Sequence, residues 1–321
     1  MRPLTFAQFA PVRVLDGGMA TELERHGLDI SGPLWSAHIL DTAPERIRAV
    51  HLDYLHAGAD CISTASYQVS DFGYTELGRP AHHAHDALRR SVAIAEEARV
   101  LYAAESPRPV FIAASLGPYG AALHNGAEFH GNYEIPFTEL VDFHARRLDV
   151  LADTEADLVA FETVPSFEEA RAIAVALVDF PHVSAWVSFT CRDEAHVAHG
   201  EPLADCAALL GSKEEDDFEQ VAAVGINCTQ PRFVLPLLKA ARAVTAKALI
   251  AYPNSGELWN AESRSWYGAA EVAPYTALAR QWYTAGAQAI GGCCRTTPAH
   301  IRALHHLRNE EAGESALLPV H

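Results

Sequence analysis

Residues 221–254 read VAAVGINCTQPRFVLPLLKAARAVTAKALIAYPN and contain one complete strand–helix–strand unit. Two apolar runs, Val221–Cys228 and Ala248–Pro253, are continuous rather than alternating, which is typical of parallel strands buried on both faces. The segment between them, Arg232–Ala246, is predicted to be a helix. The stretch therefore predicts a βαβ unit, in which a helix joins two parallel strands.

The same unit recurs along the whole chain. Six further apolar runs predict strands, namely Val12–Asp16, Asp60–Ala65, Val110–Leu116, Leu158–Glu162, Ser184–Thr190 and Ala289–Cys294. The other predicted helices are Pro44–Ala57, His82–Ala104, Phe137–Ala152, Phe167–Val178, Val272–Ala285 and Pro298–Leu307. Eight β–α units in series favour an α/β fold that is a single (β/α)8 TIM barrel, rather than a doubly wound sheet. We expect one domain spanning residues 1–321, although length alone would suggest about two.

The composition excludes several classes of protein. The chain has 24 Lys+Arg against 41 Asp+Glu, a formal net charge of −17, and is 49% hydrophobic. This is globular composition, and the acidic balance argues against binding nucleic acid or anionic membranes, which need basic patches. No signal peptide precedes the first strand, and no run reaches the roughly 18 apolar residues of a membrane span. We therefore expect a cytoplasmic protein without nucleic-acid or membrane partners, for which a cationic small substrate would be tolerated.

Three of the six cysteines end predicted strands. Cys228 closes the sixth strand, and the vicinal pair Cys293 and Cys294 closes the eighth. In a barrel the carboxyl ends of all strands meet at one mouth, where active sites form. Three thiolates there could hold one zinc ion and leave a fourth position open, as in catalytic zinc sites. Packing as small hydrophobic residues, or a vicinal disulfide, remains an alternative from spacing alone.

The other three cysteines give weaker signals. Cys61 begins a predicted strand and should lie toward the opposite end of the barrel, and Cys206 falls in a helical stretch typical of core. Cys191 ends the fifth strand, so it remains a possible fourth thiol. Thiols stay reduced in the cytoplasm, and the six cysteines are therefore not expected to form a disulfide framework.

Polar side chains follow the first, second and fourth predicted strands. Asp16 and Glu162 should both face the mouth, where two carboxylates could grip an ammonium group or act as acid and base. A plain Asp-Gly-Gly turn and a buried ion pair are the respective alternatives. Thr64 and Tyr67 follow the second strand and are plausible ligand donors, although hydrogen bonding within the loop would explain them equally well.

These motifs together resemble the homocysteine S-methyltransferase family, from about Val14 to Ala303. The matching segments are Leu15–Leu23, Leu34-Trp35-Ser36 through Gln68, Ser115–Gly120, Glu162-Thr163, Gly225-Ile226-Asn227-Cys228, Tyr252–Glu257 and Gly291–Pro298. The pairing of Gly-Ile-Asn-Cys with Gly-Gly-Cys-Cys at this separation is specific. The segments near the second strand look most like the bacterial and plant branch of the family.

The resemblance implies a function and a set of site residues. It implies zinc-dependent transfer of a methyl group from a sulfonium donor, S-methylmethionine or in some members S-adenosylmethionine, to the thiol of L-homocysteine, giving methionine. The zinc thiolates carry over to Cys228, Cys293 and Cys294, and the contacts to the homocysteine amino group to Asp16 and Glu162. Tyr67 aligns with an aromatic residue near the donor, and the predicted substrate-binding residues are Asp16, Gly17, Thr64, Tyr67, Glu162 and Asn227.

Several alternatives remain at this stage. One is a methyltransferase for selenocysteine-type acceptors, and another is a non-catalytic homocysteine-binding module of a larger methionine synthase system. A zinc hydrolase is disfavoured, because three thiolates donate charge and leave zinc a weak Lewis acid. Aromatic faces can steady a sulfonium, and Tyr67, Phe72 and Tyr119 are the candidates. The sequence indicates small-molecule partners only, and a monomer or small homo-oligomer.

Overall fold

The computed structural model describes residues 6–30, 35–214, 218–260, 265–268 and 270–317, so Leu34 of the Leu-Trp-Ser segment lies outside the described residues. The strands are β1 Cys61–Ser63, β2 Phe111–Leu116, β3 Leu158–Val164, β4 Ala185–Phe189, β5 Val221–Asn227, β6 Ala248–Tyr252, β7 Leu258–Asn260, β8 Ser265–Tyr267 and β9 Ala287–Ile290. The helices are α1 Phe6–Phe9, α2 Met19–Arg25, α3 Ile39–Thr42, α4 Pro44–Ala57, α5 Asp71–Glu76, α6 His82–Ala103, α7 Tyr119–Ala122, α8 Phe137–Ala152, α9 Phe167–Val178, α10 Leu203–Leu209, α11 Pro231–Val244, α12 Val272–Thr284 and α13 Pro298–Leu317, with 3₁₀ turns at Trp35–His38 and Ala127–Phe129.

Seven of these strands form one parallel sheet. Its order is β1-β2-β3-β4-β5-β6-β9, so each strand pairs with the next predicted strand in the chain. The strand residues are almost all buried, because side chains on one face point inward and those on the other pack under the helices. The α/β class, the parallel arrangement and the strand order agree with the sequence prediction.

The predicted first strand, Val12–Asp16, is not a strand of this sheet. Instead, Val14 forms an isolated parallel bridge with Ile290 of β9, and Leu15 forms one with Cys61 of β1. The Asp60 carboxylate accepts the Arg13 and Val14 amides at 3.0 and 2.9 Å, so a side chain takes donors that a ladder would otherwise use. The segment Val12–Asp16, called the first bridging segment below, thus links the two edge strands of a curled sheet. The main sheet contains seven regular strands where eight were expected.

Most predicted helices are confirmed. Pro44–Ala57, Phe137–Ala152 and Phe167–Val178 have the predicted bounds, whereas the last helix continues beyond Leu307 to Leu317. The helix over Pro44–Ala57 ends where Gly58 adopts φ 111°, a left-handed conformation that favours glycine at a C-cap. The antiparallel pair of β7 and β8 was not predicted and lies in the long connection after β6.

The interior of the curled sheet is filled by side chains rather than open. Inward residues of successive strands form one cluster, with Trp186 of β4 at its centre and Phe9 of α1 packed 6.2 Å from the Trp186 ring. The Trp186 indole donates to the Tyr252 hydroxyl at 3.0 Å. Phe9, which precedes the first bridging segment, fills the amino-terminal end of the interior. The polar residues lie at the carboxyl ends of the strands. Among the described helices, none combines the length and apolar character needed to cross a membrane.

Candidate active site and metal centre

Three thiols lie together at the carboxyl ends of β5 and β9. The Sγ atoms of Cys228, Cys293 and Cys294 are all within 4.8 Å of one another, and those of Cys228 and Cys294 are 3.6 Å apart. All three are free and partly exposed, so the vicinal disulfide is not formed. Cys228 has φ 49°, which marks a sharp turn of the chain directly after the strand. The structure brings together the three cysteines that the sequence singled out.

The backbone around the Gly-Gly-Cys-Cys segment fixes two of these thiols. The Gly292 amide donates to the Asp16 carbonyl at 2.9 Å, and the Cys293 amide donates to the Pro253 carbonyl at 2.8 Å. The Cys294 carbonyl accepts the Ser255 amide at 3.0 Å. A Cβ at Gly291 would lie 2.6 Å from the Asp16 carbonyl oxygen, so this close approach to the first bridging segment requires glycine.

The three sulfurs have the chemistry of a site for a thiophilic divalent cation. Hydrogen bonds from Cys228 and Cys293 hold the pKa of the Cys294 thiol well below its usual value. Hydrogen bonds with Cys293 and Cys294 raise the pKa of the Cys228 thiol well above the usual value of a cysteine. Mutual repulsion thus opposes the ionisation of all three sulfurs together, and a divalent cation would remove that opposition. The donor set fits a metal with three protein ligands.

Asp16 lies beside these thiols as a buried carboxylate with no cationic partner. Its Oδ2 accepts the Ser63 amide at 2.7 Å, and its Oδ1 accepts the Ser63 hydroxyl at 3.2 Å. Burial, with a smaller contribution from the Glu162 charge, raises the pKa of Asp16 to about 8 against the lowering effect of the hydrogen bonds from Ser63. Among the described residues no Arg, Lys or His pairs with it, so its carboxyl group is available to ionise beside an incoming cation.

Glu162 occupies the corresponding place on β3. Its Oε1 accepts a hydrogen bond from the Ser115 hydroxyl of β2. Burial raises the pKa of Glu162 to about 7, the Cys293 thiolate raises it as well, and hydrogen bonds from Ser115 and Tyr252 oppose the shift. Glu162 raises the pKa of Asp16, and Cys293 raises the pKa of Glu162, so the two acids and the thiol cluster lie in one region of the mouth. Sequence reasoning counted Ser63 among the plausible ligand donors but assigned no role to Ser115 or Tyr252, although both occur in the quoted motifs.

Two predicted substrate contacts are already engaged within the protein. Asn227 is fully buried, and its Oδ1 accepts the Thr163 amide at 2.8 Å and the Ser188 hydroxyl at 2.9 Å. Thr64 is also buried, and its hydroxyl accepts the Ser115 amide at 3.0 Å. These contacts hold neighbouring strand ends in register, and direct contact of Asn227 or Thr64 with substrate stays a prediction.

Gly17 and Tyr67 line the same mouth. A Cβ at Gly17 would lie 2.8 Å from the Tyr54 ring, so a side chain there would displace a buried tyrosine. Tyr67 is partly buried, and burial followed by the charges of Glu128 and Cys228 raises the pKa of its phenol well above the usual value. The Tyr67 phenol thus lies within electrostatic range of both Glu128 and Cys228.

The aromatic candidates Phe72 and Tyr119 form a cluster beside Tyr67's loop. Their ring centroids are 5.4 Å apart, and Tyr119 also packs against Tyr133 at 5.4 Å and Phe143 at 5.2 Å. The Tyr119 amide donates to Glu169 Oε1 at 2.6 Å, so the loop after β2 is anchored to α9. No local sequence signal indicates Glu169 as this anchor, because its role depends on tertiary packing.

The remaining cysteines lie outside the thiol cluster. Cys61 begins β1 and is buried, as predicted, and Cys206 is fully buried in α10. Cys191 follows β4, where its amide donates to the Thr229 hydroxyl at 2.9 Å. Among the described residues the cluster at the end of β5 and β9 contains only the three cysteines 228, 293 and 294, so Cys191 is not a fourth thiol of it.

Comparison with known proteins identifies the family of the chain. A sequence model of the family described as homocysteine S-methyltransferase matches residues 13–307. Homocysteine S-methyltransferase YbgG of Bacillus subtilis is 46% identical over 300 residues, covering 92% of this chain and 93% of that protein. Selenocysteine Se-methyltransferase of Brassica oleracea is 43% identical over 307 residues, covering 91% and 87%. The metallated form of the Escherichia coli homocysteine methyltransferase MmuM superposes with a TM-score of 0.82 at 41% identity, covering 92% of this chain and 96% of that one.

Proposed function

The chain belongs to the homocysteine S-methyltransferase family and is an enzyme of that activity, and we propose that it transfers methyl from a sulfonium donor to L-homocysteine with the help of zinc. S-methylmethionine is the proposed donor, with S-adenosylmethionine as a possible second one, and methionine is the product. The observation that carries the proposal is the set of three sulfurs within 4.8 Å at the end of β5 and β9. The metallated form of MmuM supports a metal in this chain as well.

Cys228, Cys293 and Cys294 would hold the zinc and leave one position free. Zinc bound there would supply an acceptor thiol that is deprotonated at neutral pH, since metal coordination removes the proton of a thiol whose free pKa is about 8.5. The leaving group of a sulfonium is a neutral thioether, so no protein acid is needed for its departure. The residues of the chain therefore contribute binding and alignment.

Asp16 and Glu162 would bind the ammonium group of homocysteine. Both carboxylates are buried without a cation, so an arriving ammonium favours their charged forms and compensates for their burial. Ser63 and Ser115 keep the two carboxylates in place through hydrogen bonds. Gly17 has no side chain and so leaves room for the Tyr54 ring. Asn227 and Thr64 would act mainly by positioning the strand ends.

The donor would lie on the side of Tyr67. Tyr67, Phe72 and Tyr119 offer aromatic faces to the sulfonium, which is attracted by their negative π surfaces. We further propose that residues 1–321 form one homocysteine-binding domain, a (β/α)8 barrel in which the segment around Val14 and Leu15 counts as the eighth strand. A cytoplasmic monomer or small homo-oligomer is the form in which we expect it to act.

Two measurements on the purified protein test this proposal. Elemental analysis should find about one zinc per chain, as expected for a single three-thiolate site. Homocysteine with S-methylmethionine should give two methionine molecules per turnover, and homocysteine with S-adenosylmethionine one methionine and one S-adenosylhomocysteine. Absence of zinc, or absence of methionine with both donors, would contradict the proposal.

Selenocysteine is a second candidate acceptor, which the Brassica oleracea relative favours. A selenol would use the same open position, since it ionises more readily than a thiol. Assays with both acceptors at equal concentration decide between them, and the higher kcat/KM identifies the preferred substrate. A non-catalytic module would show no turnover with either acceptor.

A further inference from the structure

Glu128 is an acidic residue of the mouth to which the proposed mechanism gives no role. It lies in the 3₁₀ turn Ala127–Phe129, within the long connection between β2 and α8. Its Oε2 atom is buried and has no hydrogen-bond partner among the described residues. Burial raises the pKa of Glu128 to about 7, and the described residues supply no cation that would counter this shift. An unpaired buried carboxylate is costly, which makes Glu128 a candidate partner for a cationic group of a ligand.

The turn that carries Glu128 is held firmly. The Ala127 amide donates to Asn125 Oδ1 at 3.0 Å, and the Gly131 amide donates to the Ala127 carbonyl at 2.8 Å. A Cβ at Gly120 would lie 2.5 Å from the Glu128 nitrogen, so the turn packs directly on α7. The carboxylate is therefore presented by a fixed backbone rather than by a free loop.

Glu128 lies on the donor side of the thiol cluster. Its charge raises the pKa of the Tyr67 phenol, as do the charges of Cys228 and Glu162 from the cluster side. Tyr133, whose ring packs against Tyr119, is influenced by Glu128 as well. Geometry supports this placement: a Cβ at Gly120, the residue after Tyr119, would lie 2.5 Å from the Glu128 nitrogen and 2.7 Å from the Tyr133 hydroxyl, and a Cβ at Gly117 would lie 2.9 Å from the Tyr67 ring, so the turn borders the aromatic cluster proposed for the sulfonium.

The chemistry of the donor indicates which of its two positive groups Glu128 would bind. The sulfonium loses its charge as the methyl group leaves, so an anion beside it would stabilise the ground state more than the transition state. The α-ammonium keeps its charge throughout the reaction, and an anion beside it binds substrate and transition state equally. Asp16 and Glu162 are the carboxylates proposed for the ammonium of homocysteine, so the unpaired Glu128 is the acid left for the ammonium of the donor.

We propose that Glu128 binds the α-ammonium group of an amino-acid sulfonium donor and so selects for donors that carry this group. This inference rests on the proposed methyl transfer and adds a specificity residue to it. It assigns separate carboxylates to the two amino-acid substrates: Asp16 and Glu162 to the acceptor, and Glu128 to the donor.

The test compares two donors in wild-type protein and in Glu128→Gln. The donors are S-methylmethionine and its des-amino analogue, (3-carboxypropyl)dimethylsulfonium, with homocysteine saturating. Glu128→Gln should lower kcat/KM for S-methylmethionine by about 10- to 100-fold, mainly through KM, because a charge-assisted hydrogen bond is lost. The same variant should change kcat/KM for the des-amino donor less than twofold. Glu134→Gln, an exposed site in the same connection, is the matched control and should leave both donors unchanged.

Each outcome bears on the inference. An equal loss with both donors would overturn it, since Glu128 would then act on the sulfonium or on the fold, and so would no loss with S-methylmethionine. If Glu128→Gln does not fold, wild-type protein still decides, because it must prefer S-methylmethionine over the des-amino donor by at least tenfold and a ratio near one would refute the assignment. Wild-type protein inactive with both donors would instead contradict the proposed function itself.

Discussion

Carboxylates lie at both ends of the strands, and the two ends treat them differently. Asp60 precedes β1 and accepts hydrogen bonds from the Arg13 and Val14 amides and from Arg108 at 2.7 Å. Asp157 precedes β3 and accepts the Ile112 amide and the Arg99 guanidinium, both at 2.7 Å. At the amino-terminal end of the sheet, therefore, the chain neutralises its own acids.

At the carboxyl-terminal end, Asp16 and Glu162 have no cationic partner among the described residues. Asp16 and Glu162 receive hydrogen bonds from Ser63 and Ser115, which stabilise a charge without cancelling it. The three thiols add further potential negative charge within the same mouth. Carboxylates thus stabilise the fold through ion pairs at the amino-terminal end of the strands, whereas Asp16 and Glu162 at the carboxyl-terminal end can bind a cationic ligand. This is expected for a barrel whose active site is at the carboxyl ends of its strands.

The largest effect should come from removing a thiol of the mouth. Cys228→Ser or Cys293→Ser should abolish zinc binding and lower kcat by about 1000-fold or more, because two thiolates and a hydroxyl no longer hold the metal. Elemental analysis and the methionine assay measure both quantities, and circular dichroism checks the fold. Cys206→Ala, in the helix α10, is the control and should keep one zinc per chain. A Cys228→Ser enzyme with full metal content and activity would refute the site.

The next largest effect should come from the opposite end of the sheet. Asp60→Asn should lower the free energy of unfolding by about 3 kcal/mol, since it leaves the Arg108 guanidinium without its charged partner. Urea denaturation measures the change. In the folded protein kcat/KM should remain within about twofold of wild type, as the pair is remote from the mouth. Loss of activity without loss of stability would break the division between the two ends.

Asp16→Asn should show the reverse pattern. We expect the KM for homocysteine to rise by about 10- to 100-fold, because an amide cannot replace the charged partner of an ammonium group. The free energy of unfolding should stay level or increase, since the neutral amide replaces an acid whose ionisation is opposed by burial in the folded state. Steady-state kinetics and urea denaturation of the same preparation measure the two effects. A marked loss of stability with an unchanged KM would assign Asp16 to the fold instead.

The smallest expected effect is a difference in pH dependence. The pKa of Asp16 is about 8 in the folded protein against 3.8 as its ordinary value. Between these values the folded state holds a proton that the unfolded state has lost, so the stability contributed by Asp16 falls as pH rises from about 4 to about 8. In metal-free protein, the difference in unfolding free energy between wild type and Asp16→Asn should therefore change by about 1 kcal/mol per pH unit from pH 5 to 7. A difference independent of pH would show that Asp16 is already ionised when folded.

Sequence reasoning predicted the features that depend on local signals. Pro44 begins its helix and Gly58 caps its end, as expected for these residue types. The strand-end positions of Cys228 and Cys293 predicted that these two thiols lie close together, and they do. It failed where a side chain replaces a backbone partner, as Asp60 does for the first bridging segment. It also assigned no role to Ser115, because the contact with Glu162 depends on the register of β2 against β3.

X-ray absorption at the metal edge tests the central claim most directly. The wild-type protein, loaded with zinc, is measured before and after addition of homocysteine, with Asp16→Asn as a variant of weaker binding. The account predicts three sulfur ligands and one lighter ligand beforehand, and four sulfur ligands once homocysteine is bound. An unchanged coordination shell at a homocysteine concentration that saturates the wild-type enzyme would contradict it.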